Sequence, residues 1–64
     1  MNQSTFNYQL VDDGGVSQEE NIPMLLQKGS IFKHEYGTYR VIDYIYREDG
    51  ILLPYCERIS KESL

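Results

Sequence analysis

Three residues of this chain have the side chains of a thiol-nucleophile site: Cys56, His34 and Asp43. In such a site a base takes the thiol proton, and a third group orients the base. The three residues lie in different predicted strands, and no glycine-rich oxyanion loop or helix N-terminus accompanies them. A small apolar cysteine and a hydrogen-bonded histidine explain them equally well. We therefore predict no catalytic residue and no enzymatic activity.

Two pairs of acidic residues, Asp12-Asp13 and Glu48-Asp49, precede glycines. Acidic residues next to glycine favour turns for backbone reasons, and no calcium-binding loop continues from either pair. The chain has one histidine and one cysteine, too few for a zinc site made by one chain. It also lacks a glycine-rich phosphate-binding motif. We predict neither a metal nor a cofactor.

Tyrosine is abundant, with six tyrosines and no tryptophan in 64 residues. Its ring offers a large apolar face and a hydroxyl group, a combination that is enriched at binding surfaces. Tyrosines and arginines of the predicted sheet are therefore candidates for one partner-binding face. This set consists of Tyr36, Arg40, Tyr44, Tyr46, Arg47 and Tyr55. The alternative, that these tyrosines complete a small core and its rim, stays open.

The net charge of −4 is confined to the N-terminal part of the chain. Residues 1–27 contain no lysine or arginine but four acids, namely Asp12, Asp13, Glu19 and Glu20. Binding to bare nucleic acid usually requires a positive surface, because neutralised phosphates supply much of the affinity. An acidic arm suits a basic protein surface, or solubility alone.

The stretch Thr38–Arg47 is the longest run of β-branched and aromatic residues. Such residues favour a strand over a helix, and turn residues flank the run on both sides. We predict that it forms the central strand of a small antiparallel sheet. Asp43 interrupts its apolar face, and a bulge near Ile42-Asp43 would move this carboxylate outward.

The N-terminal half predicts a hairpin followed by a connection. Residues 6–11 alternate apolar and polar side chains, residues 12–15 supply a hairpin turn, and a short return strand follows. Ser17 and Glu20 have capping-box spacing, but Pro23 would fall inside the helix that they would begin. We favour an extended or single-turn connection over residues 22–26 that lays Met24, Leu25 and Leu26 over one mouth of the sheet.

Residues 30–34 predict a strand that enters a hairpin with the central strand, and residues 48–50 predict a second hairpin turn. Pro54 lacks an N–H, so residues 51–59 predict a strand at the sheet edge or one with a bulge. The predicted fold is mainly β, an antiparallel sheet curled into an SH3-like partial barrel of four or five short strands with little helix. We predict one domain, residues 1–64, comprising an acidic hairpin or arm (1–28), a β-meander (29–59) and a tail (60–64).

Residues 29–59 resemble a family of short uncharacterised bacterial domains. The likeness lies in Gly29-x-Ile-Phe-Lys-His34, in Tyr36-Gly37 and in Tyr39-Arg-Val-Ile42. That family pairs a Gly-x-aromatic-basic-His strand with a hairpin and a Tyr-x-Val strand. The family has no established activity, so the resemblance implies a fold only.

These observations favour a non-enzymatic protein-binding module or small adaptor. Two alternatives stay open: an acidic phage or mobile-element inhibitor that occupies the nucleic-acid site of an enzyme, and a small barrel that stacks bases on its tyrosines. So short a chain has a thin stability margin, which makes a partner protein or self-association attractive. The unpaired Cys56, the absence of a secretion signal and the lack of a long apolar run predict a cytoplasmic protein with no membrane contact.

Overall fold

The computed structural model describes residues 5–63, so the start of the predicted acidic segment and the last residue of the predicted tail lie outside the described part. All its regular structure is β. The five strands are β1 (Phe6–Val11), β2 (Ser17–Ile22), β3 (Ile31–His34), β4 (Gly37–Tyr46) and β5 (Leu52–Ser60). Among residues 5–63 no segment forms a helix with the length and apolarity needed to cross a membrane.

The strands form one curled sheet in the order β2-β1-β5-β4-β3. β1 pairs with β5 in parallel, and the other neighbouring strands are antiparallel. The sheet bends into a half-barrel, which confirms the predicted mainly β, partly closed architecture. The sheet is mixed rather than wholly antiparallel, and the SH3-like assignment stays a prediction.

β5, and not β4, is the central strand, so the predicted edge position of residues 51–59 is wrong. β5 pairs with β4 on one side and, over residues 55–57, with β1 on the other. The Arg47 N–H donates to the Ile51 carbonyl, and strand alternation then turns the Pro54 nitrogen away from β4. Pairing with β1 begins one residue later, at Tyr55. A central strand therefore accepts this proline because no ladder hydrogen bond needs its nitrogen.

The bulge predicted near Ile42-Asp43 is confirmed. Val41 lies opposite Cys56 and Asp43 lies opposite Tyr55, so Ile42 is the extra residue. The bulge leaves Asp43 exposed, and it turns the next residue, Tyr44, against the core. One extra residue thus keeps the carboxylate out of the barrel.

The core lies on the concave face of the half-barrel. Its fully buried members are Tyr8, Leu10, Tyr39, Val41 and Cys56, and its half-buried neighbours are Phe6, Ile22, Leu26, Phe32 and Tyr44. Leu53 of β5 is also buried, at 1% exposure, but it lies opposite Ile45 and outside this cluster. Phe32 of β3 meets Tyr8 of β1 edge to face, with ring centroids 5.8 Å apart, and stacks on Tyr39 at 5.9 Å. The Phe32–Tyr8 contact links the end strand β3 to β1, which is three strands away in the sheet order.

Residues 23–30 contain no helix, which confirms that a connection and not a helix follows β2. Leu26 packs against the core, whereas the side chains of Met24 and Leu25 are 54% and 52% exposed. β2 itself is longer than the short return strand predicted, because every residue of β1 has a partner in it. Its polar composition fits a strand at the edge of the sheet.

Candidate functional site

The six tyrosines and arginines predicted to share one binding face are distributed over different parts of the half-barrel. Tyr36 lies in the β3–β4 turn, and Tyr46 lies at the far end of β4. Arg40 and Asp43 alternate with core residues and face outward, and Tyr55 lies opposite Asp43. The structure brings Tyr55 next to Asp43 rather than next to the other tyrosines.

Tyr44 belongs to the interior. Its hydroxyl donates to the Leu26 carbonyl at 2.5 Å. The Tyr8 hydroxyl donates to the Met24 carbonyl at 2.6 Å and accepts from the Leu26 N–H at 2.8 Å. Burial raises the pKa of Tyr8, so it keeps the proton that it donates. Two tyrosine hydroxyls therefore hold residues 24–26 against the mouth of the half-barrel.

The end of the β4–β5 hairpin is apolar on both faces. Four large hydrophobic side chains are exposed here, namely Ile45 (38%), Tyr46 (76%), Ile51 (42%) and Leu52 (39%). Tyr46 lies opposite Leu52 on one face, while Ile45 and Ile51 alternate with them on the other. We call these four residues the hairpin-end cluster.

The two exposed side chains of the loop after β2, Met24 and Leu25, lie at the same end of the sheet. The loop is fixed there by Tyr44, which precedes Tyr46 by two residues on the same face of β4. Six of the ten exposed large hydrophobic residues of the described chain therefore lie in residues 24–25 and 45–52. Apolar side chains gathered at one end, and not scattered singly, mark an interaction surface.

Acidic residues predominate in the segments next to the hairpin-end cluster. The Arg47 guanidinium pairs with Glu19 and with Asp49, at 2.8 Å each, and its hydrogen bond lowers the pKa of Asp49. Glu48 and Asp43 are exposed nearby in sequence. Counting Lys28 in the loop after β2, these four carboxylates and two cations leave a net charge of −2 in the segments that meet at this end.

Each of the four acids of the predicted arm has a partner within the described chain. One Asp12 oxygen accepts the N–H groups of Gly14 and Val16 at 2.9 Å, which shapes the β1–β2 turn. Asp13 pairs with Arg58, whose hydrogen bond lowers the pKa of the carboxyl. Glu19 pairs with Arg47, and Glu20 lies 3.7 Å from His34. The four acids therefore do not form a separate arm, because each contacts another group of the β1–β2 turn or of the sheet.

Cys56, His34 and Asp43 do not share a face of the sheet. The Cys56 thiol is fully buried, and burial raises its pKa to about 12. Asp43 faces outward beyond the bulge. His34 accepts the Tyr36 N–H on Nδ1 at 3.3 Å and lies beside Glu20. In residues 5–63 no three potential metal ligands cluster together.

A small concavity of about 210 Å³ lies at the opposite mouth of the half-barrel. Tyr39 and Arg58 line it, together with Leu10, Asp12, Val16, Gln18 and Tyr36. The guanidinium is already engaged, since Arg58 donates to Asp13 and, at 3.3 Å, to the Tyr36 carbonyl. Its cation is therefore neutralised within the chain.

Of the apolar side chains at this end, the sequence singled out Tyr46 as a partner-binding residue, next to Arg47. Ile45, Ile51 and Leu52 were not predicted to form a surface, and Met24 and Leu25 were expected to cover the mouth of the sheet, whereas both are exposed. Ile51 and Leu52 directly follow a polar turn, and Met24 and Leu25 follow a proline. The pattern that could have indicated exposure is a pair of large apolar residues on alternating faces immediately beside a hairpin turn. Two neighbouring side chains of a strand point to opposite faces, so they cannot both pack into the same core.

Comparison of the chain with protein-family models, with curated proteins and with solved structures gave no match.

Proposed function

We propose that this protein is a non-enzymatic protein-binding module that docks through the end of its β4–β5 hairpin. The observation that carries the proposal is the exposure of the hairpin-end cluster, with Tyr46 at 76%. A large aromatic side chain with aliphatic neighbours is the typical centre of a protein interface. A partner would bury these side chains, which water now surrounds.

The chemistry of the partner follows from the two parts of the surface. An apolar groove would receive Tyr46 and Leu52, with Met24 and Leu25 extending the contact. Basic residues at the rim of that groove would face Glu48, Asp49 and the Glu19–Arg47 pair. Such rim charges mainly accelerate association, whereas the apolar centre determines how long the complex lasts.

Tyr46 is the energetic centre of this binding surface, whereas Tyr44 stabilises the fold. Tyr44 donates to Leu26 and packs against the core, so a partner cannot reach it without displacing the loop. Tyr36 lies in the β3–β4 turn, beside the opposite end of the ten-residue strand β4, and is also exposed, at 42%. It is a matched control, because its side chain is of the same type but outside the proposed surface.

A protein module in the cytoplasm is consistent with a single, unpaired thiol.

The alternative of an acidic inhibitor draws support from the exposed carboxylates, although each arm acid is engaged within the chain. The protein-binding module and the acidic inhibitor differ in how binding responds when the acidic side chains are neutralised. Changing Glu48 and Asp49 to Gln and Asn should slow association with a hairpin-docked partner, but it should abolish binding by a nucleic-acid mimic.

The test compares three versions of the chain, wild type, Tyr46→Ala and Tyr36→Ala, as baits for proteins of the source cell. We expect Tyr46→Ala to weaken retention of one stoichiometric protein by about 2 kcal/mol, roughly 30-fold, and Tyr36→Ala to retain it. Circular dichroism should show both variants folded. Equal retention by all three chains would contradict the proposal, and so would loss of retention with Tyr36→Ala alone. Retention that nuclease treatment abolishes would favour nucleic acid instead.

A further inference from the structure

The two edges of the sheet, β2 and β3, are protected to different degrees. β3 has four residues and carries Lys33, and short length and lysine are both devices that discourage strand addition. β2 has six residues in unbroken register with β1, and it contains no proline, lysine or bulge. β2 is therefore the edge that offers a longer template for another strand.

The backbone groups on the free edge of β2 can be identified from the register. The Asp12 N–H donates to the Val16 carbonyl, which makes these two residues a hydrogen-bonded pair. Alternation in an antiparallel ladder then directs Gln18, Glu20 and Ile22 toward β1. The N–H and C=O groups of Ser17, Glu19 and Asn21 point away from the sheet. An added strand could pair with three residues in succession.

The side chains that flank this edge are acidic. Residues 17–22 include Glu19 on the convex face and Glu20 on the concave face, and no lysine or arginine. Glu19 pairs with Arg47, and Glu20 lies 3.7 Å from His34, but both contacts are partly exposed and of small net strength. Cations on an incoming strand can therefore replace them on both faces.

A second copy of this chain fits the edge poorly. Two β2 strands side by side would bring four glutamates together, and like charges on neighbouring strands are destabilising. The same charges attract a strand with lysine or arginine. We propose that the free edge of β2 binds an extended, basic segment of a partner protein by strand addition.

The test uses a short capped peptide that alternates lysine and valine, with a glutamate–valine peptide of the same length as the control. Amide hydrogen exchange of the isotopically labelled chain is measured by NMR with and without each peptide. The lysine peptide should slow exchange at Ser17, Glu19 and Asn21, whose N–H groups point outward. Gln18 and Glu20 already donate to β1 and should change less.

A pair of variants separates backbone pairing from simple charge attraction. Asn21→Pro removes one outward N–H and leaves the β1 ladder intact, whereas Asn21→Thr keeps the N–H. We expect Asn21→Pro to weaken binding of the lysine peptide about fivefold to tenfold and Asn21→Thr to leave it within about twofold. If Asn21→Pro does not fold, the amide exchange pattern of the wild-type chain with the two peptides still tests whether a strand is added at β2.

Several results would overturn the proposal: protection confined to Ile31 and Lys33 of β3, equal binding of the glutamate peptide, or equal affinity of the two Asn21 variants. Sedimentation showing a dimer whose formation protects Ser17, Glu19 and Asn21 would assign the edge to a second copy. This surface shares the Glu19–Arg47 pair with the acidic rim of the hairpin-end cluster, but it does not include Tyr46. Tyr46→Ala should therefore leave binding of the lysine peptide unchanged, so either proposal can fail without the other.

Discussion

The hydroxyl of Tyr8 accepts a 2.8 Å hydrogen bond from the Leu26 N–H, and it donates its own proton to the Met24 carbonyl at 2.6 Å. One buried side chain of β1 thus satisfies two backbone groups of the loop that follows β2. Tyr8→Phe should lower the free energy of unfolding by about 1 to 3 kcal/mol, because those groups lose their partner in a partly buried place. Urea denaturation measures the loss.

Tyr46→Phe is the control for this change. It removes the same hydroxyl from a side chain that is 76% exposed, so stability should stay within about 0.5 kcal/mol of wild type. Equal stability of Tyr8→Phe and wild type would show that the loop is not held by Tyr8.

Gly37 begins β4 with φ of +143° where Arg58 and the end of β5 approach it closely. A Cβ atom at this position would lie 2.6 Å from Arg58 Cδ and 2.7 Å from the Ser60 carbonyl oxygen. Backbone cannot yield as a flexible side chain does, so Gly37→Ala should destabilise the fold by about 2 to 4 kcal/mol. Thermal unfolding would show the change as a lower midpoint.

The matched control for Gly37 is Gly14→Ala in the β1–β2 turn. The nearest atom to its added Cβ is the Asp12 Oδ1 atom at 3.4 Å, which is ordinary contact. We expect a change within about 0.5 kcal/mol. A similar loss at both glycines would mean that the close approach at Gly37 is not the cause.

The Asp13–Arg58 pair should make stability depend on pH. The hydrogen bond from Arg58 lowers the pKa of Asp13 below its usual 3.8. A lowered folded-state pKa stabilises the fold above the unfolded-state value, and this contribution is lost as the pH falls through the folded-state value. Asp13→Asn should therefore reduce stability at neutral pH and flatten its decline between about pH 5 and pH 2.

Glu57→Gln is the control for the loss of one carboxylate, since Glu57 is exposed and forms no ion pair with a described residue. At neutral pH it should leave the unfolding midpoint close to that of wild type, whereas Asp13→Asn should lower it. High salt should weaken the effect of Asp13→Asn, because the carboxylate is exposed. An unchanged pH profile in Asp13→Asn would contradict the pairing.

The Cys56 thiol should resist modification in the folded chain. It is fully buried, and burial raises its pKa to about 12, so the reactive thiolate is scarce at neutral pH. Reaction with a disulfide reagent should be slow in buffer and should accelerate in urea together with unfolding. Rapid stoichiometric labelling in buffer would show that the core around Cys56 opens readily.

The sequence by itself determined the local elements of this fold. Alternation in residues 6–11 gave β1, and the unbroken β-branched and aromatic run gave β4 within one residue at each end. Turns followed from short polar segments whose glycines adopt positive φ, as Gly15 and Gly50 do. The bulge at Ile42 was predictable because a carboxylate on an apolar face must turn outward. These features depend on neighbours in the chain, which a local pattern contains.

Only the tertiary structure decided which strands are neighbours and which tyrosines are interior. The parallel pairing of β1 with β5 places a strand containing Pro54 at the centre of the sheet, and no local pattern encodes that partner. Tyr44 and Tyr46 have the same side chain and lie two residues apart, yet one donates to the Leu26 carbonyl and the other is exposed. Tyrosine suits either place because it is apolar along the ring and polar at its tip, so the position of the loop after β2 determines its role.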